Sequence, residues 1–280
     1  MRLFFVLLFF LCAGIGLPAQ ELYVFTEPAS LMPARSVTLK MNARYPNSQH
    51  YKFFRQRYIP EVMVGISKKI MVHLSSSFSD YYSPAVRYES SKVYGQWRFF
   101  THDAVHKHFR MAAFAEGAYT RNPFWFDELS LDGDHSGFQG GLIATQLINK
   151  LAVSASASAT KVLSKGVSHA GHQGYSTKAL NYTLSAGYLL FPRNYTNYNQ
   201  VNLNLYLELL GMRGLEQGHN MVDLAPALQL IFDSRYRINA GYRFQLAGNM
   251  LRPGEKTLYL GIETTFLGVL QKKQGATVNQ

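Results

Sequence analysis

Val201-Asn202-Leu203-Asn204-Leu205-Tyr206-Leu207-Glu208-Leu209 is the stretch on which the fold turns. Apolar residues hold every odd position, and Asn, Asn, Tyr and Glu fill the gaps. Residues i, i+2 and i+4 of a β-strand share a face, so this segment has one apolar and one polar side. The pattern recurs on both sides of it. Ile238, Ala240, Tyr242, Phe244 and Leu246 alternate with Arg237, Asn239, Gly241, Arg243 and Gln245. Leu151, Val153, Ala155, Ala157 and Ala159 alternate with Ala152, Ser154, Ser156 and Ser158. Leu258, Leu260 and Ile262 alternate with Tyr259, Gly261 and Glu263.

Twelve such segments run along the chain, at approximately 36–44, 58–67, 70–79, 91–100, 108–119, 136–147, 151–162, 179–190, 200–210, 221–232, 236–247 and 256–267. Most exceed the mean globular strand of about 5–6 residues and match the about 9–11 that a tilted strand needs to cross a bilayer. Short connections at Ser67-Lys68-Lys69, Thr101 to Lys107, Ile148-Asn149-Lys150 and Asp233-Ser234-Arg235 alternate with longer polar ones at 45–57, 80–90, 121–135, 163–178, 211–220 and 248–255. The connection at 191–199 is intermediate. Asymmetric connections of this kind belong to antiparallel transmembrane β-barrels. The sequence therefore predicts an all-β fold of about twelve strands over 36–267, with both termini periplasmic.

The faces led by Val37, Leu39, Val93, Trp97, Met111, Leu184, Leu203, Leu224, Tyr242 and Leu260 carry no charge and are expected to meet lipid. Tyr45, Tyr58, Phe78, Phe99, Tyr119, Phe138, Phe232 and Phe266 fall near segment ends, where aromatic girdles form. Girdles account for 18 Tyr and 19 Phe in 280 residues. Charged residues are only 16% of the chain, below the roughly 25% of soluble domains.

Residues 1–19 read as a signal peptide: Arg2, an apolar run from Leu3 to Leu17, and a small residue, Ala19, at the cleavage point. The run is shorter than a spanning helix. Leu11 before Cys12 argues against lipoprotein acylation, and Cys12 is the chain's one cysteine. Its removal excludes disulfides and thiolate chemistry from the exported chain. Residues 20–35 hold Pro28 and Pro33 and lack sustained alternation, so they predict a periplasmic segment or partial plug. Residues 268–280 form a C-terminal tail. Of 28 Lys and Arg, Arg2 leaves with the leader, giving +10 against 17 acidic residues. An exported chain meets no nucleic acid, so the excess fits anionic lipid, lipopolysaccharide or an anionic solute.

The mature N-terminus, Gln20-Glu21-Leu22-Tyr23-Val24-Phe25-Thr26-Glu27-Pro28-Ala29-Ser30 continuing through Met32-Pro33-Ala34-Arg35-Ser36, is similar to the opening of a group of barrels in Bacteroidetes-type bacteria. Nearly the whole mature chain resembles the outer-membrane, transporter- or porin-like barrels of those Gram-negative organisms. The resemblance implies an outer-membrane location and insertion by the barrel-assembly machinery. It carries no catalytic residue and names no solute. The last strand has Gly261 and Phe266 suitably placed for an assembly signal, but Thr264 stands where an apolar residue is usual.

The polar faces outline a lumen. Lys40, Arg44, Arg98, Arg110, Arg237 and Arg243 stand against Glu61, Glu116, Glu208, Asp223 and Glu263, nearly cancelling. Two readings stay open: a narrow channel for a small hydrophilic solute, with Arg98, Arg110 and Arg243 opposite Glu116, Glu208 and Glu263, or a structural or surface-interaction barrel filled by paired charges. His102, His106 and His108, with Asp103, are candidate metal ligands if their turn is helical, though the spacing fits no strong zinc motif. His169 and His172 are further, isolated candidates. The loop Asp127 to Asp134 holds part of a calcium motif, and its missing ligands point to a solvated loop. No nucleophile motif or phosphate loop occurs, and Ser75 and Ser77 share one strand face with His73, which is no triad. No enzyme activity and no cofactor are expected.

Overall fold

A computed structural model describes residues 23–47, 55–163, 175–192 and 200–270. Residues 1–19, read above as a signal peptide, His169 and His172, and the residues from 271 lie outside the described residues. The alternating segments are the strands β1 (Val37–Asn47), β2 (Arg57–Gly65), β3 (Ile70–Ser79), β4 (Arg87–Ala104), β5 (Lys107–Thr120), β6 (Gly137–Ile148), β7 (Leu151–Val162), β8 (Lys178–Phe191), β9 (Asn202–Gly214), β10 (Asn220–Phe232), β11 (Tyr236–Gly248) and β12 (Lys256–Phe266).

Each strand pairs antiparallel with its neighbours in sequence, and β1 pairs with β12 from Val37↔Phe266 to Asn47↔Lys256. The ring is closed. Closure leaves no sheet edge, so the ladder satisfies the wall's backbone groups without water. The outward side chains are apolar and exposed: Leu39, Val93, Trp97, Leu142, Leu184, Leu207 and Leu260 among them. An exposed apolar surface of this extent is suited to hydrocarbon and not to water.

All short connections lie at one end of the barrel, together with the start of β1 and the end of β12. Asn149, Asp233 and Ser234 take positive φ there, as tight hairpin turns demand. Here the structure corrects several boundaries: the connection at 80–90 shortens to 80–86 and that at 211–220 to 215–219. The connection expected over Thr101 to Lys107 shrinks to Val105-His106, because β4 runs on to Ala104 and β5 starts at Lys107. The added pairs, from Thr101↔Arg110 to Ala104↔Lys107, extend the hairpin past the first residue of β3, which pairs with Trp97.

Residues 23–36 join no strand. They run inside the ring, entering through a turn at Arg35 whose N–H donates to Gly65 O (2.6 Å), while Gly65 N–H donates to Ser36 O (3.0 Å). Gly65 is needed at this crossing, since a Cβ would sit 2.2 Å from Pro33 O. At the opposite end, the β5–β6 loop (121–136) also folds inward, and Phe124, Phe126, Leu129 and Leu131 are buried.

A charge on the outer wall should block insertion. Leu205→Arg or Leu260→Arg is expected to cost ~2–4 kcal/mol if the site lies at the bilayer midplane. Loss of heat-modifiable gel mobility in these variants, but not in an Ala substitution at either site, is the expected readout.

Candidate functional site

The site is the lumen, closed at two levels by the chain itself. The first closure is the segment 23–36. Its backbone would bring unpaired N–H groups into a dry interior, which costs about 1–3 kcal/mol each if left unmet. Glu208 on β9, fully buried, meets them: Oε1 accepts from Val24 N (2.9 Å) and Phe25 N (3.0 Å), and Oε2 from the Thr26 hydroxyl (2.7 Å). Further on, Ala29 N donates to Thr145 Oγ1 (2.8 Å), Gln96 Nε2 to Pro28 O (2.8 Å) and Arg110 to Ser30 Oγ (2.7 Å). Apolar side chains fill the rest. Tyr23, Val24 and Phe25 pack against Leu147, Ala152, Tyr206, Ala227 and Tyr259. Leu31 and Met32 pack against Met63, Met71 and Tyr94. Burial raises the Glu27 carboxyl from its ordinary value, partly opposed by Lys40 and His73.

The second closure is the β5–β6 loop, and its geometry overturns the expectation of a solvated acidic loop. Asp134 takes a two-pronged bond from Arg57 (2.9 and 2.7 Å), which also reaches Glu89 (3.0 Å). Asp132 bridges Arg44 (2.6 Å) and Lys92. Glu128 accepts from Arg243 (2.7 Å) and Arg252 (3.1 Å), and both arginines also bind Asp223. Asp127 exchanges backbone and side-chain bonds with Leu251, tying this loop to the one at 249–255. Beneath the charges, Phe124 and Leu129 pack on Val162, Ala179, Met212, Met221 and Met250. Phe124 also meets the buried His135 ring at 4.3 Å. Burial holds His135 below the ordinary imidazole value, so it is neutral at pH 7. Burial pushes the Glu128 carboxyl up, but Arg243 and Arg252 outweigh it and bring it down to about 2. The same contest, with Lys92 and Arg44 as the cations, leaves Asp132 well below the carboxylate range.

Some of the charges in and beside the loop closure keep accessible surface: Arg44 29% of its side chain, Lys92 20%, Asp132 19% and Glu116 12%. Ser156, Asn181 and Thr183 are likewise half-buried on β7 and β8, joined by short bonds such as Ser156–Thr183 at 2.7 Å. Small hydroxyl and amide groups thus keep accessible surface inside a ring whose two ends are plugged.

The residues singled out from sequence do not form two facing charge ladders. Lys40 lies between Glu61 and Glu263 by register. Arg98 sits at the short-turn rim, bonded to Lys68 O (2.6 Å), and Arg110 holds Ser30. Glu116 is 3.4 Å from Lys92, Glu208 binds the N-terminal segment, and Glu263 pairs with Arg237. Arg44, Asp223 and Arg243 belong to the loop closure. Arg57, Glu89, Lys92, Glu128, Asp134 and Arg252 complete that closure and were not on the sequence's list of lumen charges. Glu61 binds His73 Nδ1 (2.8 Å), and the His73 ring lies 4.8 Å from Tyr94.

The turn that would have gathered His102, His106 and His108 is a β-hairpin, not a helix. His102 pairs with Phe109, and His108 faces Asp103 at 2.7 Å. Among the described residues no group of three His, Cys, Asp or Glu side chains is placed to hold a metal.

No protein-family model matches the sequence, and no curated protein matches it. The fold does have solved counterparts. An outer membrane channel from Pseudomonas putida F1 superposes with a TM-score of 0.56 at 11% identity, covering 87% of this chain and 100% of its own. The β domain of the Bordetella autotransporter Brka gives 0.50 at 12% identity, covering 84% and 100%. The chain has the fold of outer-membrane β-barrels.

Two outcomes follow from this geometry. Glu208→Ala strands three donors and should loosen segment 23–36 by ~2 kcal/mol or more, read as protease cleavage before residue 36 in a barrel that keeps its gel mobility. The loop closure has the opposite sign from an alkaline switch. Glu128 and Asp132 are depressed when docked, so their contribution is full at neutral pH and is lost as pH falls from about 4.5 towards about 2 and below. Loop 121–136 should therefore resist protease down to pH 5 and open only in strong acid.

Proposed function

We propose that the protein is an outer-membrane channel for a small hydrophilic solute, held shut in this conformation by two segments of its own chain. The observation that carries the reading is the polar inner wall between the closures: Ser156, Asn181 and Thr183 keep accessible surface although the ring and both segments surround them. The barrel fold, with counterparts among outer-membrane channels, supports the location and argues for transport over catalysis. Both termini then lie in the periplasm with the short turns, and the long loops face outward. Export by the leader at 1–19, insertion by the barrel-assembly machinery, and kinship with the Bacteroidetes-type barrels suggested by Gln20 to Ser36 belong to the same proposal.

A second reading has its own observation. The 23–36 segment is packed as a core is packed, with Ala29 fully buried and Tyr23 and Met32 nearly so. A barrel filled in that way would be a non-conducting scaffold whose loops engage a surface partner.

Planar-bilayer conductance separates the two. Wild type should show little steady current. Asp132→Asn combined with Glu128→Gln, which unpins the loop, should raise open probability at least tenfold, and deletion of residues 21–33 should enlarge the unit conductance. If all three proteins fold and none conducts at any voltage, the scaffold reading takes its place.

A further inference from the structure

The carboxylates of loop 121–136 do not merely approach the barrel wall; they occupy donors arranged as an oxyanion site. Arg57 presents its two terminal nitrogens to both oxygens of Asp134 (2.9 and 2.7 Å), the fork geometry of guanidinium with carboxylate or phosphate. Arg243 and Arg252 divide the two oxygens of Glu128 between them (2.7 and 3.1 Å). Arg44 and Lys92 converge on Asp132. Withdraw the loop, and these five cations keep three carboxylates, Glu89, Glu116 and Asp223. Two positive charges are left over, and the donors that held the loop point into the mouth. Unpaired charge in so enclosed a place is costly, so the loop leaves readily only when another anion takes its position.

We infer that this mouth is a binding site for a small multivalent oxyanion, with Glu128, Asp132 and Asp134 standing in for the ligand's own carboxylate or phosphate groups. Binding and loop release are one equilibrium: the ligand competes with the loop for Arg44, Arg57, Lys92 and the Arg243–Arg252 pair. The inference deepens the channel reading by naming the class of solute, and it rests on that reading for passage of the solute, though not for its binding.

Trp125 lies within the loop, its ring 5.1 Å from Tyr82, and the chain has one other tryptophan, Trp97, on the outer wall. In full-length protein carrying Trp97→Phe, Trp125 emission reports the loop. Citrate and pyrophosphate should each change it saturably, and sodium chloride at equal ionic strength should not. Arg44→Gln, whose side chain is part-exposed, should weaken the apparent affinity about tenfold, and Lys92→Gln is the second variant should the first fail to fold. Asp132→Asn should strengthen it by removing the competitor. A chloride response equal to that of citrate, or no response from a barrel with intact gel mobility, overturns the site. A saturable oxyanion response in a protein that never conducts would leave the site standing and remove the channel reading, so the two failures are distinct.

Discussion

A ring of twelve strands encloses more space than its own inward side chains can fill. Eight strands make a lumen that side chains close, and sixteen make an open aqueous pore. Twelve leaves an interior that must either hold water or be supplied with chain from elsewhere. This chain supplies the filling itself: segment 23–36 fills the end where β1 begins and loop 121–136 fills the other, while Ser156, Asn181 and Thr183 on the wall keep some accessible surface.

The charge distribution follows from that arrangement. A polar lumen face is required so that the outer face alone meets lipid, and every charge on it then lies in a poorly hydrated interior, where unpaired ions are unfavourable. Many of these charges are accordingly paired at short range, Arg237 with Glu263, Lys92 with Asp132 and Glu116, Arg57 with Glu89 and Asp134, while Glu208 is met by N–H and hydroxyl donors instead. A long-range ladder of one sign facing another would leave both unmatched. Local pairing wins because Coulomb attraction falls with distance while the cost of dehydration does not.

The wall was legible in the sequence because period-2 alternation is its direct imprint; the run from Val201 to Leu209 is β9. What fills the wall was legible only in part, because filling leaves no period. Pro28 and Pro33 mark 20–35 as a periplasmic segment or a partial plug, and contacts such as those of Glu208 and the Gly65 crossing show where it goes. Arg57 was lost by one residue, since β2 begins just before the apparent alternation does. Glu89 was hidden for a different reason. The register shift beside Ser77 and Phe78 turns Glu89 and Ser90 inward together, so parity cannot reveal both. Lys92 was within reach, as it shares the inward parity of Tyr94 and Gln96. The acidic run from Asp127 to Asp134 carried a signal too: carboxylates clustered in a strongly basic chain ask where their cations are.

The two closures differ in the forces that hold them, and this difference assigns their roles. Glu208 meets the N-terminal segment through backbone N–H groups and a hydroxyl, among apolar packing that salt does not weaken. Loop 121–136 is held by Arg–carboxylate and Lys–carboxylate pairs, some with residual access to water, and such pairs are sensitive to competing ions. The apolar packing of Phe124 and Leu129 gives the loop a resting position, while the ion pairs decide whether it stays there. Of the two, only the loop can therefore be exchanged for something dissolved. A closure whose contacts imitate those of an anion responds to anions, whereas one built on backbone bonds and buried rings responds to force on the chain that carries it.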